Sequence, residues 1–153
     1  MTLQVFTGEA GLTLNNENIK LRGFSHHDSF VGSGVAMPPR LDLFRVQASR
    51  AVGSNVWRMS HNPYHPPLYD ILDATGVTVW DENRDLGPWY VSGMGTMVKR
   101  DRTHPSVLLW SFCNEAECKQ YSNQTGFMFR DATLAQDQSR YLKSSTLCSP
   151  AAL

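Results

Sequence analysis

The chain has 153 residues, 41% of them apolar, and its 14 basic and 14 acidic side chains give a formal net charge of zero. This length suits one domain with its own core. Without excess positive charge we expect no nucleic-acid partner, and no apolar stretch approaches the roughly 20 residues of a membrane helix. The N-terminus, from Met1 to Val5, lacks the regions of a secretory signal, which favours a soluble, cytoplasmic location.

The cysteine pattern argues against a zinc or redox motif. Cys113, Cys118 and Cys148 cannot all pair within the chain, and none is spaced as Cys-x-x-Cys. We therefore interpret the three as reduced thiols, with Cys113 as part of the core.

The first 40 residues predict a hairpin, a strand and a loop. Residues 3–22 alternate apolar and polar side chains around the turn signal Asn15-Asn16, and residues 19–24 read as a strand. His26, His27 and Asp28 follow this strand. A loop rich in Gly and Ser then runs to Pro38-Pro39.

From Leu41 onward, helix and strand patterns alternate. Apolar residues spaced three to four apart predict an amphipathic helix that stops at Gly53. The later expected elements are a strand at 55–62, a helix at 68–75, a strand at 77–80, a helix at 90–102, a strand at 106–113 and a helix at 125–136. Such alternation predicts a parallel sheet with right-handed crossovers. After Ser139-Arg140 no fifth strand is expected.

Polar residues follow every predicted strand, and in parallel α/β folds the sites form at these carboxyl ends. The clearest case is the run Ser106–Cys113, whose near-continuous apolar pattern indicates a buried strand that leads into Asn114 and Glu115. A carboxylate at this position is a candidate acid/base group.

At these positions the chain resembles the barrel domain of glycoside hydrolase family 2, the β-galactosidase and β-glucuronidase family. The matching segments are Leu14-Asn15-Asn16 with Ile19–Gly23, Arg58–Tyr64, Trp80–Asn83, Arg100–Val107, Trp110-Ser111 and Asn114-Glu115. The resemblance implies an α/β fold that is the first half of a (β/α)8 barrel, about four βα units. It implies a remnant of a preceding β-sandwich domain at 1–18, the half-barrel at 19–140 and a divergent, flexible tail at 141–153.

The resemblance also implies site residues. Glu115 matches the general acid/base of a retaining glycosidase. The implied substrate-binding and supporting residues are Asn114, His61, His26, Asn62, Glu82, Asp81 and Arg58. After the first strand, either His26 or His27 matches the sugar-contacting position of the family. Because adjacent residues of a strand point to opposite sides, at most one of the two faces the site. No cofactor is implied, and Arg84–Gly87 stands where magnesium-binding relatives carry Glu-x-His, so no metal site is expected.

Retaining glycosidases need two carboxyl groups, an acid/base and a nucleophile. Family members draw the nucleophile from the seventh strand, which has no counterpart in this sequence. We therefore expect a β-galactosidase-like hydrolase that is inactive alone, with a β-galactoside as ligand once the site is completed. An open half-barrel also needs a protein partner or self-association to cover it.

Two other functions are open. A non-catalytic structural or accessory subunit of a larger assembly fits the incomplete barrel. A metal-dependent hydrolase would use His26, Asp28, His61 and Glu82 as ligands, although a His-x-His on the first strand is absent.

Trp57, Trp80 and Trp110 are assigned to packing, whereas Trp89 lies in a loop and is a candidate to stack on a sugar.

Overall fold

The computed structural model describes residues 4–7, 11–15, 17–84, 87–114 and 123–143. The chain opens with a small antiparallel sheet of β1 (Gln4–Thr7), β2 (Gly11–Leu14) and β3 (Glu17–Asn18). β2 pairs with both of its neighbours. The predicted hairpin is therefore confirmed.

The second sheet is parallel, and its strands lie side by side in chain order. They are β4 (Gly23–His27), β5 (Val56–Ser60), β6 (Thr78–Glu82), β7 (Val107–Ser111) and β8 (Tyr141–Lys143). Each strand pairs in parallel with the next. An order without reversal is what successive βα units of a barrel produce. The α/β, partial TIM-barrel fold class is confirmed.

Helices connect these strands. Within the described residues they are α1 (Pro39–Ala51), α2 (Pro66–Thr75), α3 (Val91–Asp101), which follows a 3-10 turn at Pro88–Tyr90, and α4 (Asn123–Leu134). Proline begins α1 and α2, where a missing N–H costs no hydrogen bond. α2 ends at Gly76, whose φ of 69° is a left-handed conformation that favours glycine. No helix in the described part of the chain is long and apolar enough to cross a membrane.

The hydrophobic core lies between the parallel sheet and the helices. Trp57 of β5 and Trp110 of β7 are fully buried in it, as their assignment to packing requires. The helices contribute Leu68, Leu72, Met94 and Val98, all fully buried. Trp80 is half-buried, and its ring packs against the Arg58 guanidinium, whose carbon lies 5.2 Å from the ring centroid. The core therefore holds one face of the sheet against the helices.

Two strand predictions are wrong. β8 exists and pairs with β7 from Leu109↔Tyr141 to Ser111↔Lys143, although no fifth strand was expected there. A strand of three residues is too short to show an alternating pattern, so its pairing partner defines it. The first parallel strand begins at Gly23 rather than at residue 19. There an added Cβ would lie 2.0 Å from the Val56 carbonyl oxygen, so this close strand approach requires glycine.

The expectation that all three cysteines are reduced is also wrong. Cys113 is fully buried, as expected of a core residue, but it is disulfide-bonded. Cys118 and Cys148 lie outside the described residues. Three cysteines cannot all form disulfides within one chain, so the odd number shows only that at least one thiol is not paired within it. It does not exclude a single bridge, which depends on the distance between Cα atoms in the fold.

Candidate active site

An ion pair between Arg58 and Glu82 forms the centre of a polar cluster at the carboxyl ends of the strands. Arg58 Nη2 lies 2.9 Å from Glu82 Oε2 and Arg58 Nε lies 3.1 Å from the same oxygen. The Glu82 side chain is fully buried, and that of Arg58 is one-fifth exposed. A buried carboxylate must be paired and hydrogen-bonded to remain charged, and this guanidinium supplies two donors.

His61 and Ser111 complete the shell around Glu82. His61 Nδ1 lies 2.6 Å from Glu82 Oε1, and Ser111 Oγ donates to Oε2 at 3.1 Å. Because Nδ1 must carry the proton to donate to a carboxylate, Nε2 is the imidazole nitrogen left to a ligand. Glu82 thus orients the His61 ring, and its own side chain is fully buried. Ser111 belongs to the matching segment Trp110-Ser111, but it was not predicted as a site residue.

Asn114 joins the same cluster from the segment after β7. Its Oδ1 accepts a hydrogen bond of 2.8 Å from Arg58 Nη2. Arg58, His61, Glu82 and Asn114, which were predicted as site residues, are therefore brought together by the fold. Glu115, the residue proposed as acid/base, lies outside the described residues, directly after Asn114 in the chain.

The first strand presents His27, and not His26, to this cluster. Ser25 Oγ accepts a hydrogen bond from Arg58 Nη1 at 3.2 Å, so Ser25 lies on the inner face of the sheet. Alternate residues share a face, which places His27 with Ser25. The His27 ring lies 5.8 Å from the His61 ring, edge to face. Ser25 was another residue that the sequence did not single out.

His26 lies on the helix-facing side of the sheet instead. Its ring stacks on Trp57, with centroids 3.4 Å apart and planes within 6°. Burial, and then the charge of Arg45, lower the pKa of His26 from 6.5 to about 4. The choice of His26 as the sugar-contacting member of the pair is therefore corrected: strand alternation turns it away from Arg58, His61 and Glu82.

Asp81 also points away from the cluster, since it precedes Glu82 on the same strand. The Tyr69 hydroxyl donates to Asp81 Oδ1 at 2.9 Å beneath α2. Burial, and then the nearby carboxylate of Asp101, raise the pKa of Asp81 well above its ordinary value. The predicted carboxylate pair Asp81-Glu82 is thus split between the two faces of the sheet. Only Glu82 supports the cluster.

Asn62 is placed near the cluster by sequence but has no hydrogen bond to it among the described residues. Its amide donates to the carbonyl of Pro63 at 3.1 Å. This contact shapes the turn after β5, and it leaves the predicted substrate-binding role without a contact that supports it.

The alternative metal site does not form from the residues proposed for it. His26 is on the opposite face from His61 and Glu82, so the four proposed ligands do not converge. Within the described residues, one group of potential metal ligands lies close together, and it consists of Asp70, Asp73 and His104.

In this group, both Asp73 oxygens are already engaged. Oδ2 lies 2.6 Å from His104 Nδ1, and Oδ1 accepts from the backbone N–H of Ser106 at 2.9 Å. These bonds tie α2 to the connection before β7. The His-Pro-Ser part of the motif at 100–107 is therefore a structural element.

Comparison with known proteins agrees with this geometry. Residues 6–95 and 83–147 match the family model of glycosyl hydrolases family 2, TIM barrel domain. A beta-galactosidase of Bacteroides ovatus, BoGH2A, is 33% identical over 119 residues, which are 69% of this chain and 14% of that protein. A beta-glucuronidase of Canis lupus familiaris is 30% identical over 121 residues, 70% of this chain and 18% of that protein.

Solved structures show the same fold. A beta-glycosidase from Bacteroides vulgatus superposes with a TM-score of 0.88 at 26% identity, over 94% of this chain and 20% of that one. A glycosyl hydrolase family 2 member from Bacteroides cellulosilyticus superposes with a TM-score of 0.84 at 28% identity, over 94% and 21%. The chain spans about a fifth or less of these relatives. It belongs to glycoside hydrolase family 2, of which it carries part of the TIM barrel domain.

Proposed function

We propose that this chain supplies the acid/base half of a retaining glycosidase site for β-galactosides, with Glu115 as general acid and base. The observation that carries the proposal is the hydrogen bond from Arg58 to Asn114, the residue directly before Glu115. This bond holds the start of the segment after β7 against the inner-face cluster, which consists of Arg58, His61 and Glu82. Matched relatives are named beta-galactosidases or beta-glucuronidases, and the β-galactoside is taken from the B. ovatus beta-galactosidase.

The described side chains act around the sugar in distinct ways. With Oδ1 bound to Arg58, the Asn114 amide nitrogen is the group left to donate to a sugar hydroxyl. His61 offers Nε2 because Glu82 holds its Nδ1. Glu115 would protonate the leaving oxygen and later deprotonate the attacking water.

Glu82 is a poor candidate for the missing nucleophile. Its carboxylate is fully buried and receives hydrogen bonds from Arg58 and Ser111, which lower its nucleophilicity and its access to an anomeric carbon. We propose that the second carboxylate, roughly 5–5.5 Å from Glu115 in a completed site, comes from a further segment or another chain. We expect the 153-residue chain alone to be inactive.

The open edges of the sheet indicate where that segment would add. In the described residues, β4 and β8 each pair with one strand only, so each leaves its other edge without a strand partner. We propose that strands completing the barrel pair with these edges, from a continuation of the chain, from a separate polypeptide or from a second copy. Sedimentation of the purified chain distinguishes a second copy from the other two sources.

Reconstitution tests the proposed activity. Residues 1–143 are fused to the second half of the B. ovatus barrel, and hydrolysis of p-nitrophenyl β-galactoside is measured beside the unfused chain. We expect activity only in the fusion, and its loss in Glu115→Gln. The matched control is Asp131→Asn, which removes an exposed carboxylate of α4. A Glu115→Gln fusion as active as its parent would refute the acid/base role.

Azide provides a second readout that a structural role of Glu115 would not produce. In the Glu115→Ala fusion, an activated aryl galactoside still forms the glycosyl-enzyme, because its leaving group needs little protonation. Azide then attacks that intermediate without base assistance. We expect azide to accelerate turnover and to yield β-galactosyl azide, whereas no azide adduct is expected from the parent fusion.

A further inference from the structure

A cleft on the helical side of the sheet lies apart from the inner-face cluster. It has a volume of about 570 Å³ and runs between facing flanks of α3 and the end of α4. From α3 it is lined by Ser92, Thr96 and Lys99, which are exposed and lie on one helix face. Gln136, which follows α4, and Trp89, which precedes α3, also line it.

Trp89 adds an aromatic surface to this cleft. The residue is 70% exposed, although it is a large aromatic. Its indole lies against the backbone of Gly87, where an added Cβ would come within 2.7 Å of the ring atoms Cε2 and Nε1. Gly87 itself is buried beneath this contact. The ring therefore lies against backbone on one side, and its centroid is 6.4 Å from that of the Tyr90 ring.

The rest of the cleft offers hydrogen-bonding groups and one positive charge. Ser92 and Thr96 bring hydroxyls, Gln136 brings an amide, and Lys99 brings an ammonium group. None of the ion pairs between described residues includes Lys99. Lys99 follows Ser92 by seven positions of the helix, roughly 10 Å along the axis. A compact monosaccharide would not span this distance.

We propose that this cleft binds a short acidic oligosaccharide, with a sugar ring on the Trp89 indole and a carboxylate at Lys99. A pyranose has an apolar C–H face that suits an exposed indole, and its rim of hydroxyls suits Ser92, Thr96 and Gln136. The ammonium group makes a charge-assisted hydrogen bond with a uronate carboxylate. This site is independent of the proposed hydrolysis, because none of its residues belongs to the Arg58 cluster.

Calorimetric titration of the 153-residue chain tests the site without any requirement for activity. The probes are trigalacturonate and the neutral galactotriose. We expect the acidic trisaccharide to bind more tightly, by about fivefold at low salt, and this preference to fade as salt screens the charge. Equal binding of both probes would overturn the role of Lys99, and binding of neither would overturn the site.

Four variants locate the binding. Trp89→Ala is expected to weaken trigalacturonate binding by about tenfold, the usual scale for a truncated aromatic anchor. Gly87→Ala should also weaken it, since the indole is displaced but not removed. Lys99→Gln should abolish the acidic preference, and the matched control Lys20→Gln, an exposed lysine outside the cleft, should not.

Circular dichroism verifies that each variant is folded. Unchanged affinity in the Trp89→Ala variant would overturn the proposal. Self-association would also overturn the proposal if the chain bound neither trisaccharide and Trp89→Ala abolished the association in the ultracentrifuge. The cleft would then be a protein interface.

Discussion

Arg58 Nη2 and Asn114 Oδ1 lie 2.8 Å apart, so one guanidinium links β5 to the segment after β7. The same nitrogen lies 2.9 Å from Glu82 Oε2. The buried carboxylate holds the arginine, and the arginine in turn holds the asparagine amide. The orientation of Asn114 therefore depends on Glu82, with which it shares no hydrogen bond in the described residues.

Removing Arg58 should destabilise the fold through Glu82. In Arg58→Met the carboxylate stays buried without its cationic partner, and we expect a loss of about 3 kcal/mol in the free energy of unfolding. Urea denaturation measures this loss. The double variant Arg58→Met/Glu82→Gln should recover part of it, because the unpaired charge is then gone. A loss well below 1 kcal/mol in the single variant would show that Glu82 is not held by Arg58.

His27 should be more important to turnover than His26. In the reconstituted fusion, we expect His27→Ala to lower kcat/KM for the β-galactoside by about tenfold or more. Its ring faces the His61 side of the sheet, whereas His26 packs on Trp57. His26→Phe, which keeps a stacked ring, is the matched comparison. A larger loss of activity in that variant at unchanged stability would reverse the assignment.

His26 should make the fold less stable in mild acid. The unfolded chain protonates this histidine near pH 6.5, whereas the folded chain does so only at about 4. Between these values the unfolded state binds more protons, so stability falls as pH drops through this range and is fully present above it.

The measurement for His26 is the urea midpoint at pH 7 and at pH 5. The drop between them should shrink in His26→Phe, which cannot be protonated. A histidine outside the stack, as in His65→Gln, serves for comparison. An equal drop in the parent and in His26→Phe would assign the acid sensitivity to other groups.

Replacing Asp81 with asparagine should stabilise the chain at neutral pH. Burial and Asp101 raise the pKa of Asp81, so the folded state binds more protons than the unfolded state. Protonated Asp81 therefore stabilises the folded state, and this stabilisation is lost as the pH rises above the ordinary pKa of aspartate. Asparagine can still accept from Tyr69 and can donate to Asp101. We expect a gain of about 1 kcal/mol at pH 7 in urea unfolding. A lower free energy of unfolding for Asp81→Asn at pH 7, with that of the control Asp131→Asn unchanged, would contradict the prediction.

Two glycine substitutions should have opposite effects. Gly23→Ala places a Cβ 2.0 Å from the backbone oxygen of Val56, so β4 must move and we expect a loss of roughly 3 kcal/mol or more. Gly93 lies within α3, where the nearest atom to an added Cβ is Asn83 Oδ1 at 3.9 Å. Gly93→Ala should gain about 0.5–1 kcal/mol from helix propensity. Thermal unfolding of both variants measures the contrast, and equal shifts would contradict it.

The order of strands and helices was accessible from the sequence because it depends on local patterns. The proline starts of α1 and α2 and the Gly76 end of α2 are encoded within a few residues of each boundary. β8 was missed because three residues are too few to show a periodic pattern. Its strand conformation is defined by its pairing with β7. The first parallel strand was placed too early, since its start depends on the approach of Gly23 to Val56.

The amino-acid order alone was enough to establish the α/β class, the parallel arrangement, the family and the grouping of Arg58, His61, Glu82 and Asn114. Its motifs and periodicities are local properties. The folded chain was needed to choose between adjacent residues, His27 over His26 and Glu82 over Asp81. Successive side chains of a strand point to opposite faces, and which face is the inner one depends on pairing with neighbouring strands and on the helices that cover the other.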